Sequence, residues 1–167
     1  MDRTTVTSSL YAGVLLAVVG ALAWATGRPF VFPSLGPSGY VLATVRDGDA
    51  VDARRVVGGH LLGVAGGLVA YHALASGLLI TTTTPAFARS QLRLAASGVA
   101  AVVLTTAAML RTDLVHPPAC ATTLIVALGL LSSVVEAGVV LASVVVLVGV
   151  HVVLRPYVPA PSSTDAG

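Results

Sequence analysis

Apolar residues arrive along this chain in long unbroken blocks and do not alternate with polar ones. Leu10 to Thr26, Val56 to Ile80, Leu92 to Leu110 and Val134 to Leu154 are such blocks. Each has roughly 20 residues, the length a helix needs to cross a ~30 Å hydrocarbon core. Tyr11 and Trp24 bracket the first block, roughly 20 Å apart on a helix, which suits opposite membrane interfaces. Thr81-Thr82-Thr83-Thr84-Pro85 precedes the third block, and Arg155-Pro156-Tyr157 closes the last. No stretch alternates over ten residues as a spanning strand must.

Two further apolar stretches are broken by proline. One is Phe30-Val31-Phe32-Pro33-Ser34-Leu35-Gly36-Pro37-Ser38-Gly39-Tyr40, continuing to Val45. The other runs from Leu114 through His116-Pro117-Pro118-Ala119-Cys120 to Leu130. Proline holds its own φ and pushes its predecessor towards extended geometry. Each stretch therefore predicts an extended part followed by a half-helix of about nine residues, starting at or after its last proline. About seven extended residues reach roughly 23 Å and nine helical ones add roughly 13 Å, enough to span. Such backbone is tolerated at that depth only where protein or water buries it.

A shift of 81 residues lays Pro37 on Pro118 and Leu10–Thr26 on Gln91–Ala107. Both halves, about 8–80 and 90–155, then read helix, broken segment, helix. The predicted fold is an all-α polytopic membrane protein, a single membrane domain over 1–167 built of two such repeats, with a disordered Pro/Ser-rich tail over 156–167. Arginine placement favours six crossings, which makes the repeats inverted. Arg3, Arg46, Arg54, Arg55, Arg111 and Arg155 then share one side, and Arg28, Arg89 and Arg93 the other. By the positive-inside rule the richer side is cytoplasmic, with both termini, in the cell membrane. Re-entrant segments would split the same nine arginines four against five.

Composition agrees. The 167 residues are 56% hydrophobic and 10% charged, with a mean hydropathy of +0.94; a soluble domain carries about a quarter charged residues. A net charge of +2, scattered, excludes a nucleic-acid partner. Cys120 is the only cysteine, so no intrachain disulfide and no structural zinc site are expected. A signal-peptide reading of the first block, with Ala21-Leu22-Ala23 as cleavage site, is disfavoured because the repeat uses that block as a structural partner. Asp47, Asp49 and Asp52 mimic part of a calcium loop but lack its bidentate Glu, so Arg46–Arg55 reads as a solvated loop. No metal or other cofactor is expected.

In an inverted arrangement both half-helix N-termini face one central region. Their unsatisfied N–H groups and partial positive charge predict an anion site. Ser34, Ser38, Thr122 and Thr123 can donate to it, and Gly36 and Gly39 allow backbone to approach a ligand. His116 is either a ligand-facing donor whose charge changes near neutral pH or a cap bonded to a neighbouring carbonyl; as the former it is, with Glu136 and His60, a candidate for proton coupling. Glu136 is a proton-coupling group or a favourable acid at a helix start. His60 pairs with Glu136 or lines the path, or sits at the interface; the bland alternatives are preferred for Glu136 and His60. His72 and His151 read as packing or interface residues. Gly59, Gly63 and Gly67 give a small-residue face for close helix contact within the chain, and a homo-oligomer is the other use of it. Cys120 near His116 invites a thiol nucleophile, but no Asp or Asn orients the pair, and no enzyme motif is present.

His116-Pro117-Pro118-Ala119, with Pro33-Ser34-Leu35-Gly36-Pro37-Ser38 and Arg55-Val56-Val57-Gly58-Gly59-His60, resembles the HPP family of small membrane proteins over about residues 15–155. Members often have Gly-Ala after the prolines, where this chain has Ala119-Cys120. Some members are nitrite transporters. The converging half-helices predict a transporter or channel for a small monovalent inorganic anion, its pathway between the two halves with Ser34, Gly36, Ser38, His116 and Thr122 nearest the substrate; the resemblance implies that the anion is nitrite-like. A different expectation is a structural or regulatory membrane subunit, with a dry, tightly packed centre.

Overall fold

The computed structural model describes residues 3–45 and 48–158; Met1, Asp2, Arg46, Asp47 and 159–167, which include part of the charged loop and most of the predicted tail, lie outside them. The described chain is helical. Four helices are long and apolar enough to cross a membrane: α1 (Arg3–Thr26), α3 (Ala53–Ala70), α4 (Arg89–Thr112) and α6 (Val134–Leu154). The last turn of α3 widens into a π segment, Tyr71–Ala75. Between them lie two short helices, α2 (Leu35–Thr44) and α5 (Ala119–Ala127).

Local chemistry sets these bounds. Gly27, at φ 64°, ends α1 in the left-handed conformation that glycine adopts without strain. Asp113 closes α4 in the same region, φ 57°, and its carboxylate meets Arg55 at 2.7 Å. α5 starts directly after Pro118, as predicted. α2 starts at Leu35, two residues before its last proline; Pro37 falls in the first turn, where a missing N–H costs no hydrogen bond. Ser133 and Glu136 form a capping box at the start of α6. Arg155–Tyr157 adds a 3₁₀ turn after α6, so ordered chain extends past the predicted start of the tail.

Contacts fix the direction of every pass. Val31 lies against Gly20, and Gly39 against Leu16, so residues 31–39 run back along α1. Arg93 Nε donates to Leu74 O, Gly66 abuts Thr105, and Arg55 pairs with Asp113, so α4 runs antiparallel to α3. The second broken segment keeps pace with α3: Leu114 packs on Gly58, His116 on Gly59, Ala119 on Gly63 and Val126 on Gly67. It ends at the far end of α3, where Ile80 N donates to Leu128 O. Tyr11 meets His151, which brings the start of α1 to the end of α6. The chain thus traverses the bundle six times, and both broken segments pass along it without turning back. Arg3, Arg54, Arg55, Arg111 and Arg155 fall at one end, and Arg28, Arg89 and Arg93 at the other.

Exposure is inverted relative to a soluble protein. Trp24 is 90% exposed, Leu92 71% and Val134 79%, whereas Ser34, Ser38, His60, Thr105, His116 and Thr122 are fully buried. Such an exterior is stable only against hydrocarbon, so the protein is an integral membrane protein in contact with lipid. Tyr11 departs from the interface expected of it: it is buried and its hydroxyl lies 2.9 Å from His151 Nδ1.

The glycine face of α3 is an intrachain contact. A Cβ at Gly59 would stand 2.8 Å from His116 Cβ, at Gly63 2.8 Å from Ala119 O, and at Gly67 2.7 Å from Val126 Cβ. Gly66 faces α4 in the same way, with Thr105 Oγ1 at 2.5 Å. Gly67→Ala is expected to cost about 1–3 kcal/mol by overpacking. Gly138→Ala, which meets nothing within 4 Å, should be neutral or stabilising. Thermal unfolding of the two purified variants in detergent measures the difference.

Candidate functional site

The first turns of α2 and α5 meet inside the bundle beside His60. That residue stands about 10 Å along α3 from Ala53 at 1.5 Å per residue. α2 leads from this level towards the end of the bundle that holds Arg54 and Arg55, and α5 leads away from it. Ser34, next to the first residue of α2, places Oγ 2.6 Å from Oγ1 of Thr122, in the first turn of α5.

The N–H groups at these tips are not free, contrary to the expectation from the sequence. Leu35 N donates to Phe32 O, Gly36 N to Pro33 O and Ser38 N to Ser34 O, while Pro37 has no N–H. In α5, Ala119 N donates to His116 O, Cys120 N to Pro117 O and Ala121 N to Pro118 O. The prolines cause this: they bend each entry so tightly that the preceding carbonyls fold back onto the first turn. The dipole ends still converge, but their donors are engaged.

What fills the meeting point is a chain of five side chains. Ser34 Oγ bonds Thr122 Oγ1, and Thr122 Oγ1 bonds His60 Nδ1 at 2.7 Å. His60 Nε2 lies 3.0 Å from Ser38 Oγ, and Ser38 Oγ lies 3.1 Å from His116 Nε2. Ser38 also donates to Ser34 O at 3.1 Å. The two imidazoles stand 5.3 Å apart between centroids. Every member is fully buried, so the expected central hollow is closed by the protein's own polar groups. Thr123 turns aside to Thr105 at 3.1 Å and Ala119 O at 3.2 Å.

Of the residues singled out from the sequence, Ser34, Ser38, His116 and Thr122 come together. Gly36 does not join them; it is exposed and lines a groove of about 370 Å³ with Leu16, Val31, Phe32 and Pro33. Glu136 accepts from Ser133 N at 2.9 Å in the capping box of α6, the bland alternative of the two. His60, read as interfacial, stands in the middle of the network. Its signal was its place on the same helix face as Gly59 and Gly63, since a polar side chain on the tightest packing face must find partners inside. Cys120 is half-buried and joins none of these bonds.

A bundle of this kind, apolar outside and cross-linked inside by paired broken helices, defines a small polytopic helical membrane protein. The family model "HPP, transmembrane region" matches residues 3–158, and the chain belongs to that family. No curated protein and no solved structure matches it.

The Ser34–Thr122 approach gives a direct check. A Ser34→Cys/Thr122→Cys pair in a Cys120→Ser background is expected to cross-link on mild oxidation, joining the fragments released by cleavage in the loop around Thr82. A Gly36→Cys/Thr122→Cys pair should stay open.

Proposed function

We propose that the protein is a small transporter for a monovalent inorganic anion, whose site is the polar cluster at the meeting of α2, α3 and α5, held closed in this conformation. The observation that carries this reading is the placement of two histidines and three hydroxyls at the converging dipole ends of two broken helices. Polar side chains are costly at that depth and mark transport pathways. The dipole ends favour an anion, and the cluster holds no arginine that would trap it. Opening requires the first half, α1 to α3, to move against the second, α4 to α6. The three passes of one half run opposite to those of the other, which supports treating them as an inverted repeat. Nitrite is the substrate favoured by the family resemblance. No catalytic chemistry is assigned. The arginine-rich end faces the cytoplasm of the cell membrane, and a homo-oligomer is compatible with the exposed faces.

One observation favours a second reading. The centre is filled by the protein's own side chains, which bond to one another, as expected of a non-transporting structural or regulatory membrane subunit. Flux into proteoliposomes separates the two. The transporter is expected to pass nitrite in preference to chloride, with nitrate and formate as further probes, and His116→Ala should lower the rate at least tenfold. Absence of flux for all four anions removes the transporter and leaves the structural subunit. Equal passage of chloride and nitrite keeps the pathway and discards the substrate.

A further inference from the structure

With both imidazoles neutral, the hydrogen bonds of the cluster admit one proton placement that satisfies every contact. Ser38 has a single O–H and three neighbours: Ser34 O, His60 Nε2 and His116 Nε2. A carbonyl oxygen only accepts, so the hydroxyl donates to it, and both imidazoles donate Nε2–H to the two lone pairs of Ser38 Oγ. His60 Nδ1 is then an acceptor and receives the Thr122 hydroxyl. Thr122 in turn accepts from Ser34. His116 Nδ1 is left as a bare lone pair, buried and with no hydrogen-bond partner among the described residues.

Two consequences follow. Every side-chain donor of the five is engaged, and so are the first-turn N–H groups of α2 and α5. In this neutral state an anion finds dipole ends but no free hydrogen. The one open position is an acceptor, and a proton added there breaks no existing bond. It creates an N–H donor and a full positive charge in the cluster.

Among the described residues nothing else nearby supplies that charge. His60 on α3 is the titratable group whose ring faces His116. α2 presents Ser34 and Ser38, α4 presents Thr105, and α5 presents Thr122, Thr123 and the half-buried Cys120. Arg55 stands at the end of the bundle, paired to Asp49 at 3.1 Å and to Asp113 at 2.7 Å. An anion drawn into low dielectric without a partner charge is strongly disfavoured.

Building on the transport reading, we infer that the protein moves its anion together with one proton, and that His116 Nδ1 is where the proton sits. The proton adds to the Nδ1 lone pair, the anion accepts the new N–H, and both leave in reverse. The cycle is electroneutral for a monovalent anion.

The test uses the full chain in liposomes carrying an internal pH dye, with nitrite and nitrate as probes. Protein-free liposomes give the rate at which the weak acid crosses unaided. A maintained gradient of one pH unit is expected to drive about tenfold accumulation, with one proton per anion and no response to a clamped potential. His116→Gln, which cannot take a proton, should lose the pH-driven accumulation. If that variant does not elute as a folded species, wild-type protein in detergent decides: nitrate binding should take up one proton per anion. Flux that follows the potential and ignores the pH gradient, or binding without proton uptake, overturns the coupling and leaves transport standing. No protein-dependent flux of either anion overturns both.

Discussion

A bilayer offers no water to a buried hydroxyl or imidazole, so the donors buried in this bundle must be answered by other parts of the chain, and a bare acceptor such as His116 Nδ1 is the exception. That constraint organises the whole structure. Ser38, His60 and Thr122 come from three helices, and Ser34 and His116 from the two segments that lead into α2 and α5; each bonds to at least one of the others. The cluster therefore ties the two broken segments to α3 and to each other. In hydrocarbon, apolar contact alone gives little reason for helices to associate; a shared polar knot does.

The knot can form only because α3 is thin where it must be. Gly59, Gly63 and Gly67 let the second broken segment lie against the helix backbone, and Gly66 does the same for α4. A methyl group on that face would push His116 or Thr123 out of bonding range. The same closeness explains how a chain with so few charges holds six passes together, with the Arg55 ion pairs confined to the end of the bundle. Function and stability here draw on the same atoms, so variants at the cluster need a folding readout beside any flux measurement.

Much of this was legible in the sequence. The four apolar blocks gave α1, α3, α4 and α6, and the proline placement gave α2 and α5 to within two or three residues, because length and proline geometry act locally. The arginine split agreed with the observed direction of the passes. What was not legible depends on neighbours distant in the chain. Tyr11 looks interfacial by position, yet it is buried by its bond to His151, 140 residues away. His60 looked peripheral because its depth depends on where Ser38 and Thr122 arrive. Gly36 was placed at the ligand because glycine lets backbone approach closely, but its position on α2 turns it to the outer face. The free N–H groups of the half-helices failed as an expectation because the prolines at each entry do more than start a helix: the preceding carbonyls fold onto its first turn.

The central claim is a neutral, donor-exhausted cluster with one bare acceptor, and its proton positions are directly observable. Nitrogen NMR of imidazole-labelled protein in lipid bilayers, without added anion, reads them. The expected spectrum shows a proton on Nε2 and a bare Nδ1 in both His60 and His116, with only the Nδ1 of His60 accepting a hydrogen bond. A proton on Nδ1 of either ring in that state, or a hydrogen-bonded His116 Nδ1, would contradict it.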